Sequence, residues 1–193
     1  MRIRFSLFAL LFSVSCGLVA QPVHFTREYI RIIVDDSSCV FTGDYVFTNR
    51  ATKSVSVSIS YPFIVTRNQP FPDSVDVSNH GIPVLFQANQ AAVSFPVHIP
   101  ATDSVLYRVR FQQSLRSPRF EYILTTTQHW KEPLQQSYFD VIVPNNVRIT
   151  DISLPVQSTQ KTTDGLVYHI RQTHFLPAVN LVITWEVNHE KSS

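Results

Sequence analysis

The feature that most constrains the fold is a strict alternation of apolar and small polar side chains. Between Ser54 and Tyr61, valine, isoleucine and tyrosine occupy every odd position, and serine occupies every even position. A period of two places all of these apolar side chains on one face of an extended strand. The segment therefore predicts a β-strand with one face buried and the other face in water.

Similar alternation recurs along most of the chain. It predicts further strands at residues 28–34, 39–48, 82–87, 93–99, 105–111, 119–127, 137–143, 147–153, 166–172 and 181–187. Turn-forming residues separate these runs at 35–37, 79–81, 144–146 and 164–165. Only residues 128–137 have room for a short helical turn. The pattern predicts an all-β chain of ten or eleven strands, folded as an antiparallel β-sandwich of immunoglobulin-like or more extended form.

The N-terminus resembles a secretory signal peptide. Arg2 and Arg4 precede an apolar run over residues 5–14, which is too short to span a bilayer, and small residues follow as far as Ala20. We therefore expect a signal segment over residues 1–20 and an exported protein of the periplasm, cell surface or exterior. Residues 21–193 are expected to form one extended sandwich, with a subdivision near residue 101 as the alternative.

The two cysteines allow no disulfide within the mature chain. Cys16 lies in the predicted signal, which leaves Cys39 as the only thiol, and its apolar neighbours indicate a buried structural residue. Cys16 also follows small residues and precedes a glycine, as in a bacterial lipoprotein cleavage site. Lipidation of Cys16 is therefore an alternative to cleavage after Ala20.

The charge balance removes the main argument for a nucleic-acid partner. The full chain has 16 basic and 14 acidic residues, but Arg2 and Arg4 belong to the signal, so the mature chain carries 14 of each. A chain without net positive charge lacks the overall attraction that would indicate nucleic acid or an anionic membrane as its partner. No other apolar run reaches the length of a membrane-spanning helix, so none is predicted in the mature chain.

No motif for nucleophilic catalysis, metal binding or a cofactor is present. The chain has four glycines, no Gly-x-Ser-x-Gly sequence and no pair of histidines at metal-ligand spacing, so we predict no cofactor and no metal site. Paired carboxylates of a glycoside hydrolase could come from any strands. The candidates are the strand acids Glu28, Glu121, Asp140 and Glu186.

Two groups of residues are candidates for a binding surface. Trp130, with His129 and Lys131 beside it, lies in a predicted loop that follows the predicted strand 119–127. Its ring could stack on a sugar, anchor a protein contact or cover one end of the sandwich. The second group is basic and could receive a carboxylate, a phosphate or an acidic surface, or could serve only as a solubilising face. It consists of Arg108, Arg110, Arg116 and Arg119.

Three functions remain open at this point. The first is a non-catalytic exported β-sandwich of the bacterial cell envelope or exterior that binds a protein or glycan partner. The second is a secreted polysaccharide-active hydrolase that uses two of the four carboxylates. The third is an assembly subunit that pairs through an unpaired or displaced edge strand, for which residues 23–34 are the candidate.

Overall fold

The structure, a computed structural model, describes residues 22–188 and is built almost entirely of β-strands. The predicted signal segment and Cys16 lie outside the described residues. The strands, in chain order, are β1 Val23–Val34, β2 Ser38–Asn49, β3 Val55–Pro62, β4 Ser74–Asn79, β5 Ile82–Pro83, β6 Gln87–Ala88, β7 Ala92–Ile99, β8 Ser104–Ser114, β9 Arg119–Tyr122, β10 Leu134–Pro144, β11 Val147–Ile152, β12 Ser158–Lys161, β13 Gly165–Phe175 and β14 Leu181–Val187. One short 3-10 helix spans Thr125–Trp130. The predicted all-β sandwich is confirmed.

The strands form three sheets around one apolar core. The largest sheet has eight strands in the order β12-β13-β10-β1-β2-β8-β4-β5, and two three-stranded sheets have the orders β11-β14-β9 and β3-β7-β6. Each sheet contributes a large side chain to the same hydrophobic cluster: Phe41 from the first, Trp185 from the second and Phe95 from the third. Burial of these apolar faces is the main force that holds the three sheets together.

The alternation in sequence becomes alternation in burial. On β8, Tyr107, Val109 and Phe111 are buried, while Arg108 and Arg110 between them are exposed. The predicted bounds of β3 and β14 agree with the structure to within one residue. Cys39 is fully buried with a free thiol, and Trp185 lies in the core, as the sequence predicts.

One strand pair is parallel, which the prediction of an antiparallel sandwich did not include. β1 pairs in parallel with β10 and antiparallel with β2, so it lies in the interior of the eight-stranded sheet. The expectation that residues 23–34 form an unpaired or displaced edge strand is therefore wrong. Apolar residues at alternate positions bury β1 against the core, and both of its edges are already paired.

Other boundaries differ where the sequence signal is weak. β4 and β12 lie outside the predicted strands, because four of the six residues of the first are polar and the second, Ser-Thr-Gln-Lys, has no apolar residue. The predicted strand 82–87 is two strands of two residues, β5 and β6, which belong to different sheets. The predicted strand 119–127 ends at Tyr122, and the 3-10 helix follows.

The predicted turn at 79–81 has the backbone that a tight hairpin requires. His80 and Gly81 have φ angles of 47° and 80°, and two consecutive positive values define the two-residue turn whose twist matches that of the flanking strands. The turn joins β4 to β5. Within residues 22–188, no helix is long and apolar enough to cross a membrane.

Candidate functional site

The strongest candidate for a ligand site is an open cleft between two loops. Thr66, Arg67 and Asn68 come from the loop that joins β3 to β4, and Arg116 comes from the short connection between β8 and β9. The cleft has a volume of about 500 Å³. The backbone N–H of Arg116 donates a hydrogen bond to the carbonyl of Asn68 at 2.8 Å, which fixes the two loops relative to each other.

The cleft carries two arginines that form no ion pair within the described residues. Arg67 and Arg116 are both exposed, and neither lies within salt-bridge distance of a carboxylate in residues 22–188. A guanidinium is planar, always charged and suited to paired hydrogen bonds with a carboxylate or phosphate. The cleft is therefore chemically suited to an anionic group.

The loop that carries Arg67 is anchored by a buried glutamine. The Gln69 amide nitrogen donates to the Glu121 carbonyl at 2.9 Å, and the Gln69 amide oxygen accepts from the Glu121 backbone N–H at 2.9 Å. Gln113, which is also buried, accepts a further hydrogen bond from Gln69 at 3.2 Å and donates to the carbonyl of Pro70. These bonds hold the loop against β8 and β9, so the two arginines are presented by a fixed backbone.

A polar cluster lies in the interior beneath this loop. The hydroxyl of Tyr45 forms hydrogen bonds of 2.9 Å with the hydroxyls of both Tyr61 and Tyr122. A small cavity of about 10 Å³, the size of one water molecule, is lined by Tyr61 and Tyr122 together with Gln69 and Gln113. Burial raises the pKa of all three tyrosines, so their hydroxyls remain protonated.

Glu28 is a buried carboxyl close to these tyrosines. It lies on the inner face of β1, in register with Ser137 on β10 and Tyr45 on β2. Burial raises the pKa of Glu28 from 4.5 to about 7, and the hydrogen bond from the Ser137 hydroxyl only partly offsets this effect. Glu28 therefore belongs to the core rather than to a solvated strand face or an open groove.

The four arginines of the sequence prediction lie in different places. Arg108 and Arg110 lie on the outer face of the eight-stranded sheet, where Arg108 forms a two-pronged ion pair with Asp44 at 2.6 and 2.7 Å. That ion pair raises the pKa of Arg108. Arg119 pairs with Glu121 at 2.7 Å. Of the four, only Arg116 lines the cleft, and it is joined there by Arg67, which the sequence analysis did not single out.

Trp130 closes one end of the sandwich. It is half-buried at the end of the 3-10 helix, with its ring centroid 6.1 Å from that of Phe25 and 5.9 Å from that of Phe47. His129 and Lys131 are exposed beside it, and Lys131 has a left-handed φ of 60°. A role of these three residues in binding stays a prediction.

The four candidate carboxylates are engaged separately. Glu28 interacts with Ser137, Glu121 with Arg119 and Asn180, and Glu186 with Arg148. The fourth, Asp140, accepts hydrogen bonds from His169 and Arg171. Neither of the two cavities described above is lined by two of these acids.

The surroundings of Asp140 form a second polar cluster, which the sequence analysis did not find. His169 Nδ1 lies 2.8 Å and an Arg171 nitrogen 2.6 Å from the same oxygen of Asp140, and the Arg171 guanidinium lies 5.1 Å from the centroid of the Tyr138 ring. Burial opposes ionisation of Asp140, but the hydrogen bonds from His169 and Arg171 outweigh it and lower its pKa. The register of β10 against β13 brings these residues together across 29 and 31 positions of sequence, which no local motif could indicate.

No group of three or more metal-ligating side chains occurs in the part of the chain that the structure describes. No protein-family model matches the chain, and no curated protein matches it. Solved structures do match it in fold.

A candidate nutrient-binding protein from Legionella pneumophila superposes with a TM-score of 0.71 at 14% identity, over 85% of this chain and 67% of that protein. An M1 zinc metallopeptidase from Deinococcus radiodurans superposes with a TM-score of 0.55 at 8% identity, over 86% of this chain and 43% of the peptidase. Native yeast LTA4 hydrolase gives a TM-score of 0.51 at 12% identity, over 86% of this chain and 29% of the hydrolase.

These similarities show the fold alone, because identity is at or below 14% in the three cases. The chain spans less than half of the two larger enzymes, so the same sandwich is one part of them. The chain is thus an all-β sandwich of three sheets.

Proposed function

We propose that this chain is a non-catalytic, exported β-sandwich protein of the bacterial cell envelope or exterior, and that it binds an acidic protein or glycan partner through the cleft of Thr66, Arg67, Asn68 and Arg116. The observation that carries the proposal is the pair of arginines, Arg67 and Arg116, which have no carboxylate partner within the described residues. By contrast, Arg108 and Arg119 are paired with Asp44 and Glu121. Arg31 and Arg110 are exposed and form no ion pair within the described residues, but neither lines the cleft.

The energetics favour an anion at this position. Both guanidiniums are exposed in an open cleft, so a carboxylate or phosphate can approach without displacing an existing ion pair. Hydrogen bonds between charged partners are about twice as strong as neutral ones. Because the two arginines are carried by fixed loops, both can donate to the same anionic ligand. The candidate nutrient-binding protein with the same fold agrees with a binding role, as a likeness of architecture only.

The test is calorimetric titration with matched charged and neutral probes. An oligogalacturonate represents a carboxylated glycan and a poly-glutamate peptide represents an acidic protein segment; maltoheptaose and a poly-glutamine peptide are their neutral counterparts. We expect binding of a charged probe only, with affinity that falls as salt is raised. The two charged probes distinguish a glycan from a protein partner.

Substitution locates the site. The double variant Arg67→Gln, Arg116→Gln is expected to lose binding of the charged probe at least about tenfold, as expected for two charge-assisted contacts. Arg110→Gln is the matched control, because Arg110 is also an exposed arginine but lies on the outer face of the eight-stranded sheet. Equal losses in the double variant and in the control, or equal binding of charged and neutral probes, would contradict the proposal.

A further inference from the structure

One edge of the sandwich is long and open. β3 pairs with β7 through all eight of its residues, and no strand of the described chain pairs with its other side. The unpaired N–H and C=O groups along that side are available to another strand, because an edge strand presents the same hydrogen-bonding pattern that a neighbour would satisfy. Val55–Pro62 is thus an acceptor for one more strand.

This edge lacks the features that usually prevent pairing. Natural edge strands carry charges, internal prolines or bulges. β3 has no Asp, Glu, Lys or Arg, its pairing with β7 runs without a bulge, and its one proline, Pro62, is the last residue. Among the described strands longer than two residues, only β3 and its neighbour β7 lack all four charged residue types. By contrast, β12, at one end of the eight-stranded sheet, has four residues and includes Lys161.

The core is incomplete along this edge. Val55, Val57 and Ile59 pack against the hydrophobic cluster but remain partly exposed. On the neighbouring strand β7, Phe95 and Val97 are 2% and 0% exposed. A strand placed beside β3 would cover the flanks of the three half-buried side chains, and burial of that apolar area is favourable.

We propose that β3 pairs antiparallel with β3 of a second copy of this chain, which joins the two three-stranded sheets into one six-stranded sheet. A two-fold axis perpendicular to the sheet keeps the face of β3 that carries Val55, Val57 and Ile59 on the core side in both copies. Each β3 residue then lies opposite itself or a residue an even number of positions away. The apolar residues Val55, Val57, Ile59 and Tyr61 therefore face one another, and the serines face serine or, at the strand end, Pro62.

The composition of β3 fits a second copy in particular. Across such an axis any charge on β3 would face or closely approach the same charge on the partner strand, and like charges across a strand pair are destabilising. β3 is the terminal strand of its sheet and carries no charge at all. This inference does not depend on the cleft and goes beyond the proposed binding function.

Light scattering of the full chain over a range of concentrations, up to about 0.1 mM, tests the proposal. We expect an apparent mass of twice the single chain at the high end. Ser58→Lys places a lysine at the centre of β3, on its exposed face, and should weaken the dimer at least about tenfold. Ser158→Lys is the control, because Ser158 is an exposed serine on β12, at the other end of the eight-stranded sheet.

Hydrogen exchange identifies the interface by position. The Phe63 N–H bonds to Ala91 across the β3–β7 ladder, so the N–H groups of Ser56, Ser58 and Ser60 point away from β7. These three amides should become more protected as the concentration rises, and this gain should disappear in Ser58→Lys. A wild-type chain that stays monomeric throughout the range would overturn the proposal. So would a dimer that Ser158→Lys dissociates and Ser58→Lys does not, or a dimer whose protection gain lies on other strands.

Discussion

Ser137 on β10 donates a hydrogen bond to Glu28 on β1, and both side chains are buried inside the eight-stranded sheet. The parallel pairing of β1 with β10 places these two residues in register although 109 positions of sequence separate them. A buried carboxyl with few polar partners retains its proton, because the interior disfavours its charged form. This pair makes the stability of the fold depend on pH.

We expect the free energy of unfolding to include a contribution from Glu28 that decreases as the pH rises. The pKa of Glu28 is raised from 4.5 to about 7 in the folded chain. Between these two values the folded chain holds a proton that the unfolded chain releases, so this contribution is fully present below pH 4.5 and is lost as the pH rises through 7. Its size is about 3 kcal/mol, at 1.36 kcal/mol for each pKa unit.

Glu28→Gln isolates this contribution, because glutamine cannot ionise. Urea unfolding at several pH values should show that the wild type loses about 3 kcal/mol relative to Glu28→Gln between pH 4.5 and pH 8. Glu186→Gln is the control, since Glu186 is exposed and pairs with Arg148 at the surface. A difference between wild type and Glu28→Gln that stays constant with pH would show that Glu28 does not titrate in this range.

The position of Glu28 shows what the sequence could have indicated. Glu28 lies two and four positions before Ile30 and Ile32, so the alternation that predicted the strand also places its side chain on the same buried face. Alternation indicates which face of a strand a side chain is on, but not which strands lie beside it. The partners Ser137 and Tyr45 follow from the order of strands in the sheet, which alternation does not contain.

The cleft was foreseen only in part, for a related reason. Arg116 was a candidate because it lies in a cluster of basic residues near the end of β8. Arg67 was missed because residues 64–73 carry no periodic pattern, and the bonds that position the loop join Gln69 to residues 44 and 52 positions away. The clustering of basic residues in sequence thus identified Arg116, whereas Arg67 became visible only from long-range contacts in the structure.

Tyr45→Phe should destabilise the fold by about 1–3 kcal/mol. The substitution removes the hydroxyl that Tyr61 and Tyr122 share, and it leaves two buried hydroxyl groups without that partner. Tyr29→Phe is the matched control, because the Tyr29 hydroxyl is only partly buried and bonds to Gln136 at 3.2 Å. Thermal or urea unfolding measures both variants. Equal losses for the two would mean that the buried cluster contributes no more than a partly exposed bond.

Gly43→Ala should also destabilise the fold, by about 1–3 kcal/mol, because it overfills a packed site. A Cβ atom at Gly43 would lie 2.3 Å from the Tyr45 hydroxyl and 2.6 Å from the ring carbon that bears it. The ring of Tyr45 therefore has to move, which disturbs its bonds to Tyr61 and Tyr122. Thr42→Ala, at the adjacent position on the outer face of β2, should cost less in the same unfolding measurement. A Gly43→Ala variant as stable as the wild type would show that the ring can shift freely.

Gln69→Ala should weaken ligand binding without removing any charge from the cleft. The side chain of Gln69 is 4% exposed and forms three hydrogen bonds that hold the loop carrying Arg67. Its loss leaves the Glu121 backbone N–H without its partner, at a cost of about 1–3 kcal/mol, and releases the loop. Hydrogen exchange over residues 64–73 should become faster, and the affinity for the charged probe should fall because the arginines are no longer held in place.

A second glutamine provides the control for this effect. Gln128 donates a hydrogen bond of 2.8 Å to the carbonyl of Pro177, so Gln128→Ala also removes a loop contact but does so outside the cleft. We expect Gln128→Ala to leave both the exchange of residues 64–73 and the probe affinity unchanged. If Gln69→Ala accelerates exchange yet binds the probe as tightly as the wild type, a fixed loop is not needed for binding. Unchanged exchange in Gln69→Ala would instead mean that Gln113 and the bond between Arg116 and Asn68 hold the loop without it.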